Sequence, residues 1–120
     1  MAAKVQTHLV IPQGQYFEQE WEWGSQEAGS EPFVPYNLAG YTAYCQIRAS
    51  QSRTSKLLAT PNVSLDAPNG RVVLSVSDAV SALWTWKSGW YDLILVPADG
   101  KDIRFAEGRV TVDPGVTVVS

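Results

Sequence analysis

The side chains that could do chemistry are few and poorly placed for one another. His8 is the single histidine of the 120 residues, Cys45 the single cysteine, and Glu18, Glu20 and Glu22 form the tightest group of carboxylates. A Ser-His-Asp triad or a zinc centre needs an imidazole among matched partners. His8 instead sits in THLVIPQ, whose alternation makes it a strand residue with a polar tip. Cys45 lies two residues from Ala43 and two from Ile47, so it shares their face and reads as a small buried hydrophobe rather than a nucleophile. The three glutamates also share one strand face, whereas a glycosidase pair must straddle its substrate. They read as a solvated face. Asp99-Gly100 and Asn69-Gly70 are turn dipeptides rather than metal loops. No catalytic residue, metal ligand or cofactor is therefore expected.

The five tryptophans are the unusual feature. Flat rings can stack on the apolar faces of sugars, so a carbohydrate platform is one reading of Trp21, Trp23, Trp84, Trp86 and Trp90. Trp21 and Trp23 share a face with Phe17, opposite the glutamates, and belong in a core. Tyr91, Leu93 and Leu95 do the same on a later strand, which leaves Trp90 and Ile94 on its outer face. Tyr44 points away from Ala43, Cys45 and Ile47 in the same manner. The expectation is one outward apolar patch of Tyr44, Trp90 and Ile94 that docks on another protein, since exposed patches of this kind mark interfaces. Trp84 and Trp86, at the end of a helical segment, and Phe33, in a long loop, are further candidate contacts.

These residues are positioned by short strands. The central stretch is GWYDLILVPADGKDIRFAEGRVTV, residues 89–112, in which Asp99-Gly100 between two apolar runs signals a hairpin and Gly108 breaks the alternation as a bulge would. Before it come strands at 7–13, 15–23, 41–48, 57–60 and 71–76. Pro12 confines the first to an edge or an end. Residues 24–37 form a long loop with Gly24, Gly29, Pro32 and Pro35. Ser77 or Asp78 can cap a short helical segment near 77–84. About seven strands with turn signals between them predict an all-β fold, an antiparallel Ig-like β-sandwich filling a single domain over 1–120. Residues 1–6 and 113–120 are expected to be loose arms, the second carrying Val116, Val118 and Val119 as possible strand-pairing residues.

Composition narrows the classes. Hydrophobic residues make up 45% and charged residues 18%, ordinary for a globular domain. A net charge of -3 gives no basic footprint, so a nucleic-acid partner is not expected. No run is long enough to span a bilayer and the N-terminus has no apolar signal core, so neither a membrane nor secretion is expected. One cysteine requires no oxidising compartment, which places synthesis in a cytoplasm. Asn62-Val63-Ser64 matches a glycosylation acceptor by chance on this reading.

NLAGYTAYCQIR at residues 37–48 resembles the DLTGYTARMQIR segment of a widespread group of small bacteriophage and prophage virion proteins. NGRVVLSVS at 69–77, GWYDLIL at 89–95 and FAEGRVTV at 105–112, running into Pro114, follow in the same order, and Phe17 and Trp23 match an aromatic pair placed earlier. The resemblance covers roughly residues 15–118. It implies a structural β-sandwich of phage tail, baseplate or fibre genes, with no catalytic residues to carry over. The chain departs from that pattern at Asn37, at Tyr44 and Ile94, where charged residues are common, and in the long loop over 24–36. The expectation is a non-enzymatic virion component that joins or decorates the tail at the baseplate or fibre attachment. It would be present in several copies and held by other virion proteins. A capsid decoration protein and a carbohydrate-binding receptor-recognition module are the alternatives.

Overall fold

Alternating apolar residues fold into eleven strand segments and one short α-helix within residues 5–25 and 34–115, the part of the chain that the computed structural model describes. In chain order they are β1 (Val5–Gln6), β2 (Leu9–Pro12), β3 (Phe17–Glu22), β4 (Gly24–Ser25), β5 (Val34–Pro35), β6 (Thr42–Arg48), β7 (Leu57–Ala59), β8 (Asn62–Asp66), β9 (Arg71–Val76), α1 (Asp78–Ala82), β10 (Ser88–Val96) and β11 (Ile103–Asp113). The protein is thus mostly β.

One sheet runs β1-β11-β10-β6-β7, with β2 also paired to β11; a second runs β3-β9-β8; β4 and β5 form a small ribbon. The two larger sheets contribute to one hydrophobic core. Leu9, Ile11, Cys45, Ile47, Tyr91, Leu93, Leu95, Phe105 and Val110 come from the first, and Trp21, Val72, Leu74 and Val76 from the second. Ile47, Leu93 and Leu95 are wholly buried, each worth about 1.5–3 kcal/mol against exposure. Trp21 joins the layers directly. Its ring meets Phe105 edge-on at 6.0 Å, and its indole N–H donates to the Thr7 hydroxyl at 3.4 Å.

The structure corrects the expected all-antiparallel arrangement. β1 and β2 run parallel to β11, with Val5 opposite Ala106 and Val110 opposite Leu9, so this sheet is mixed. Alternation fixes which face a residue takes but not strand direction. Val5 and Gln6, expected within the loose arm over 1–6, are already in the sheet, and residues 1–4 lie outside the described residues. At the other end Asp113 closes β11, and the expected arm's residues 116–120 lie outside the described residues.

Three further differences are local. The bulge is three residues from Gly108: between Leu93/Ile94 and Ala106/Arg104 the register slips, leaving Phe105 as the extra residue. Phe105 and Ala106 are consequently both buried. Gly108 is required for another reason, since a Cβ there would overlap the Thr7 carbonyl oxygen. β8 was not expected. It pairs antiparallel with β9, and the two join through a turn at Gly70, which sits at φ 62°. Finally, the helical segment is five residues long. Ser77 caps it, the hydroxyl accepting from the Val80 N–H at 3.2 Å.

Candidate docking surface

The outer face of β6, β10 and β11 carries the expected contact residues, and their register decides what they can do together. Tyr44 lies directly opposite Ile94, which in turn faces Arg104 on β11. Tyr44 is 60% exposed and Ile94 half-buried, so the two make one apolar spot open to solvent. Trp90 is four residues further along the strand, between Arg48 and Arg109. That is about 13 Å at the usual strand rise. Between them runs a polar row, Gln46–Asp92–Glu107, set side by side across the three strands. The expected single patch is therefore two apolar positions separated by polar ones.

The polar row is internally matched. The Arg104 guanidinium lies 3.8 Å from Asp92 and 3.6 Å from Glu107. The Arg109 guanidinium stands 5.5 Å from the Trp90 ring centre in a cation–π contact, so one ring face is occupied. Beyond Arg48 the chain leaves the sheet in a serine-rich loop at 49–56. The loop is pinned by Arg48 donating to the Ser55 carbonyl at 2.8 Å and by the Ser55 hydroxyl donating to the Ser52 carbonyl at 2.6 Å. Together the loop and the sheet face enclose an open concavity of about 590 Å³, with Arg48, Arg53, Trp90, Asp92, Arg104 and Glu107 among its walls.

The remaining candidates are elsewhere. Trp84 and Trp86 pack on each other with ring centres 4.6 Å apart, tilted by 34°, and lie half-buried against the core. The exposed apolar residues at that end of α1 are instead Leu83, 82% exposed, and Val80. Phe33 lies outside the described residues. Trp23 contacts Phe105 at 5.5 Å and Tyr36 at 5.0 Å and is part of the packing around the core.

Cys45 points inward, opposite Leu93. Burial, and secondarily the charge of Asp92, raises its pKa well above the ordinary thiol value, so it stays a thiol rather than a nucleophilic thiolate. Burial likewise raises Tyr91, whose hydroxyl donates to the Thr7 carbonyl at 2.7 Å. His8 is exposed, its Nε2 2.8 Å from the Thr111 hydroxyl. Glu20 and Glu22 face solvent beside Arg71, at 3.2 and 4.0 Å. No group of three or more potential metal ligands occurs among the described residues, and no helix among them is long and apolar enough to cross a membrane.

Arg104 and Arg109 were not singled out in the sequence. Gln46, Arg48 and Asp92 share the outer face with Tyr44 and Ile94 by the same alternation, which is a signal the sequence carries. The seating of Arg109 on Trp90 depends on the β10–β11 register and had no local signal. No family model matches the chain, and no curated protein matches it.

Proposed function

We propose that this protein is a structural, non-enzymatic component of a bacteriophage virion, an Ig-like β-sandwich that joins or decorates the tail at the baseplate or fibre attachment. The fold part of this reading is supported by strand order. One layer runs β2-β11-β10-β6-β7 and the other β3-β9-β8, which corresponds to the two-layer division of an Ig-like sandwich with an N-terminal strand added beside the last one. The segments that resemble phage virion proteins coincide with β6, β9, β10 and β11.

The observation that carries the functional reading is the Tyr44–Ile94 pair. Both side chains stand on the solvent side of a sheet whose other side is already filled by Cys45, Ile47, Leu93 and Leu95. The fold does not need them there. A protein surface that covers them would remove apolar area from water, with the Gln46–Asp92–Glu107 row and its arginine supplying polar contacts around the spot. The partners are other virion proteins, the protein acts in several copies, and its place is the virion, after synthesis in the host cytoplasm. The sugar-platform alternative is less favoured by geometry, since Trp84 and Trp86 face each other and Trp90 faces Arg109.

The test is Ile94→Glu. The variant should keep its far-UV circular dichroism and melt within a few degrees of the wild type, yet fail to enter particles when co-expressed with the virion proteins encoded beside it. Unfolding of the isolated variant would place Ile94 in the core. Normal folding with normal incorporation would remove this face from the interface.

A further inference from the structure

We infer that this chain associates head to tail, the basic end of its strand layers seating on the acidic end of a second copy. The inference stands apart from the virion reading and from the Tyr44–Ile94 spot, because it rests on charges sorted to the two ends of the strands.

Strand direction does the sorting. In the first sheet β6 and β11 end where β10 begins, and in the second β9 ends where β3 begins. These ends lie together, because the Gln13 N–H donates to the Asp113 carbonyl at 2.8 Å and the Gly14 N–H to the Ser81 hydroxyl of α1 at 2.9 Å. Arg48 closes β6 there, Arg109 lies opposite Trp90, Arg53 and Lys56 follow in the serine-rich loop, and Lys87 precedes β10. None of these five cations is in an ion pair among the described residues, where the pairs are made by Arg71 and Arg104. Glu18, Asp78 and Asp113 are the described carboxylates at this end, which leaves positive charge in excess. The opposite end has the reverse balance. Asp99 and Asp102 stand in the β10–β11 turn beside Lys101. Glu22 and Asp66 lie opposite Arg71 on either side, and Glu20 is 3.2 Å from the same guanidinium. Five carboxylates thus face two cations. The nine residues of β10 hold the two ends about 30 Å apart, roughly three Debye lengths at 0.1 M salt, so each acts as a patch of its own sign.

This complementarity selects a second copy as the occupant. The basic end takes an acidic surface and the acidic end a basic one, and a copy of the chain offers both. At a net charge of -3 two copies repel each other on average, and two like ends set cation against cation or carboxylate against carboxylate. Head to tail is the orientation in which opposite signs meet. The two surfaces are different, so the contact is heterologous: each added copy leaves one end of each kind free, and association proceeds past the dimer. The charges are exposed, so the contact is weak and sensitive to salt.

Sedimentation velocity of the full chain at low salt, from micromolar to millimolar concentration, should show species beyond the dimer that revert to monomer in ~0.5 M salt. Glu22→Gln combined with Asp102→Asn removes two negative charges from a chain that has them in excess. Relief of general repulsion would strengthen association in that variant, whereas loss of the acidic end should weaken it roughly fivefold or more. Arg53→Gln combined with Lys56→Gln should weaken it similarly from the basic end. Polarity is read by cross-linking with a short bismaleimide, to which the native Cys45 is buried. Gln51→Cys, exposed at the basic end, and Ala98→Cys, exposed at the acidic end, should cross-link to each other when mixed and not to themselves. A monomer at every concentration in low salt, association that salt leaves unchanged, stronger association of the Glu22–Asp102 variant, or self-cross-linking of either cysteine variant as readily as of the mixture would each overturn the inference. Circular dichroism checks the fold of each variant; if one neutralised variant fails to fold, the other and the cross-linking comparison decide.

Discussion

Thr7 is the residue on which the N-terminal strands turn, and three neighbours hold it. Its N–H donates to the Glu107 carbonyl at 3.0 Å, its carbonyl accepts from the Tyr91 hydroxyl, and its hydroxyl accepts from the Trp21 indole. Tyr91→Phe removes one of these bonds without opening a void and should cost about 1 kcal/mol, read as a lower urea midpoint at unchanged slope. Cys45 gives a pH dependence whose sign follows from burial. Below the ordinary thiol value of 9.0 both folded and unfolded chains hold the proton, and this group leaves stability unaffected. Above it the unfolded chain releases the proton while the folded chain, with its raised pKa, keeps it. Stability then falls as pH rises, by at most about 1.4 kcal/mol per pH unit until the folded thiol also ionises. Tyr91, raised in the same direction, adds its own loss above 10.0. Cys45→Ala should start less stable but lose less between about pH 8.5 and 10, as urea midpoints across that range would show.

The elements that were legible in the sequence are those whose alternation is strong enough to stand alone. The Phe17–Glu22, Thr42–Arg48 and Ser88–Val96 strands show their inward and outward sets directly, and Ser77 caps the helix as its side-chain chemistry requires. β8 was not legible, because only Val63 and Leu65 mark its inner face and Pro61 precedes it. The parallel course of β1 and β2 had no sequence signal, and the bulge at Phe105 was hidden by the more conspicuous Gly108. Only part of the candidate docking surface could be read. Alternation placed Tyr44, Trp90 and Ile94 outward, but the spacing that splits them is a property of cross-strand register. Gly108 is open to direct test at this scale. Gly108→Ala forces a methyl against the Thr7 carbonyl, so β1 must move away from β11. The expected cost is about 2 kcal/mol or more, accompanied by faster amide exchange at Thr7. A glycine kept only for backbone freedom would show neither the size of the loss nor its confinement to that strand pair.

For the molecule as a whole, the central question is whether two sheets of unequal size behave as one unit. The larger sheet has its own continuous apolar layer, while β3, β9 and β8 supply far fewer buried residues and depend on the larger sheet to cover them. Trp21 is a direct side-chain link between the two, 8% exposed, touching Phe105 and bonded to Thr7. Trp21→Ala removes the ring and leaves a void at the sheet-to-sheet contact, which should cost ~3–5 kcal/mol, a large fraction of the 5–15 kcal/mol that holds a typical domain together. Trp90→Ala, by contrast, strips a half-exposed ring from the outer face and should cost about 1 kcal/mol or less. If the shared core makes the sheets one cooperative unit, Trp21→Ala lowers the melting temperature steeply while far-UV circular dichroism and the fluorescence of the remaining tryptophans still change together. Separated transitions by those two probes, with part of the β signal surviving the fluorescence change, would mean that the three-stranded sheet can detach from a larger sheet that persists without it.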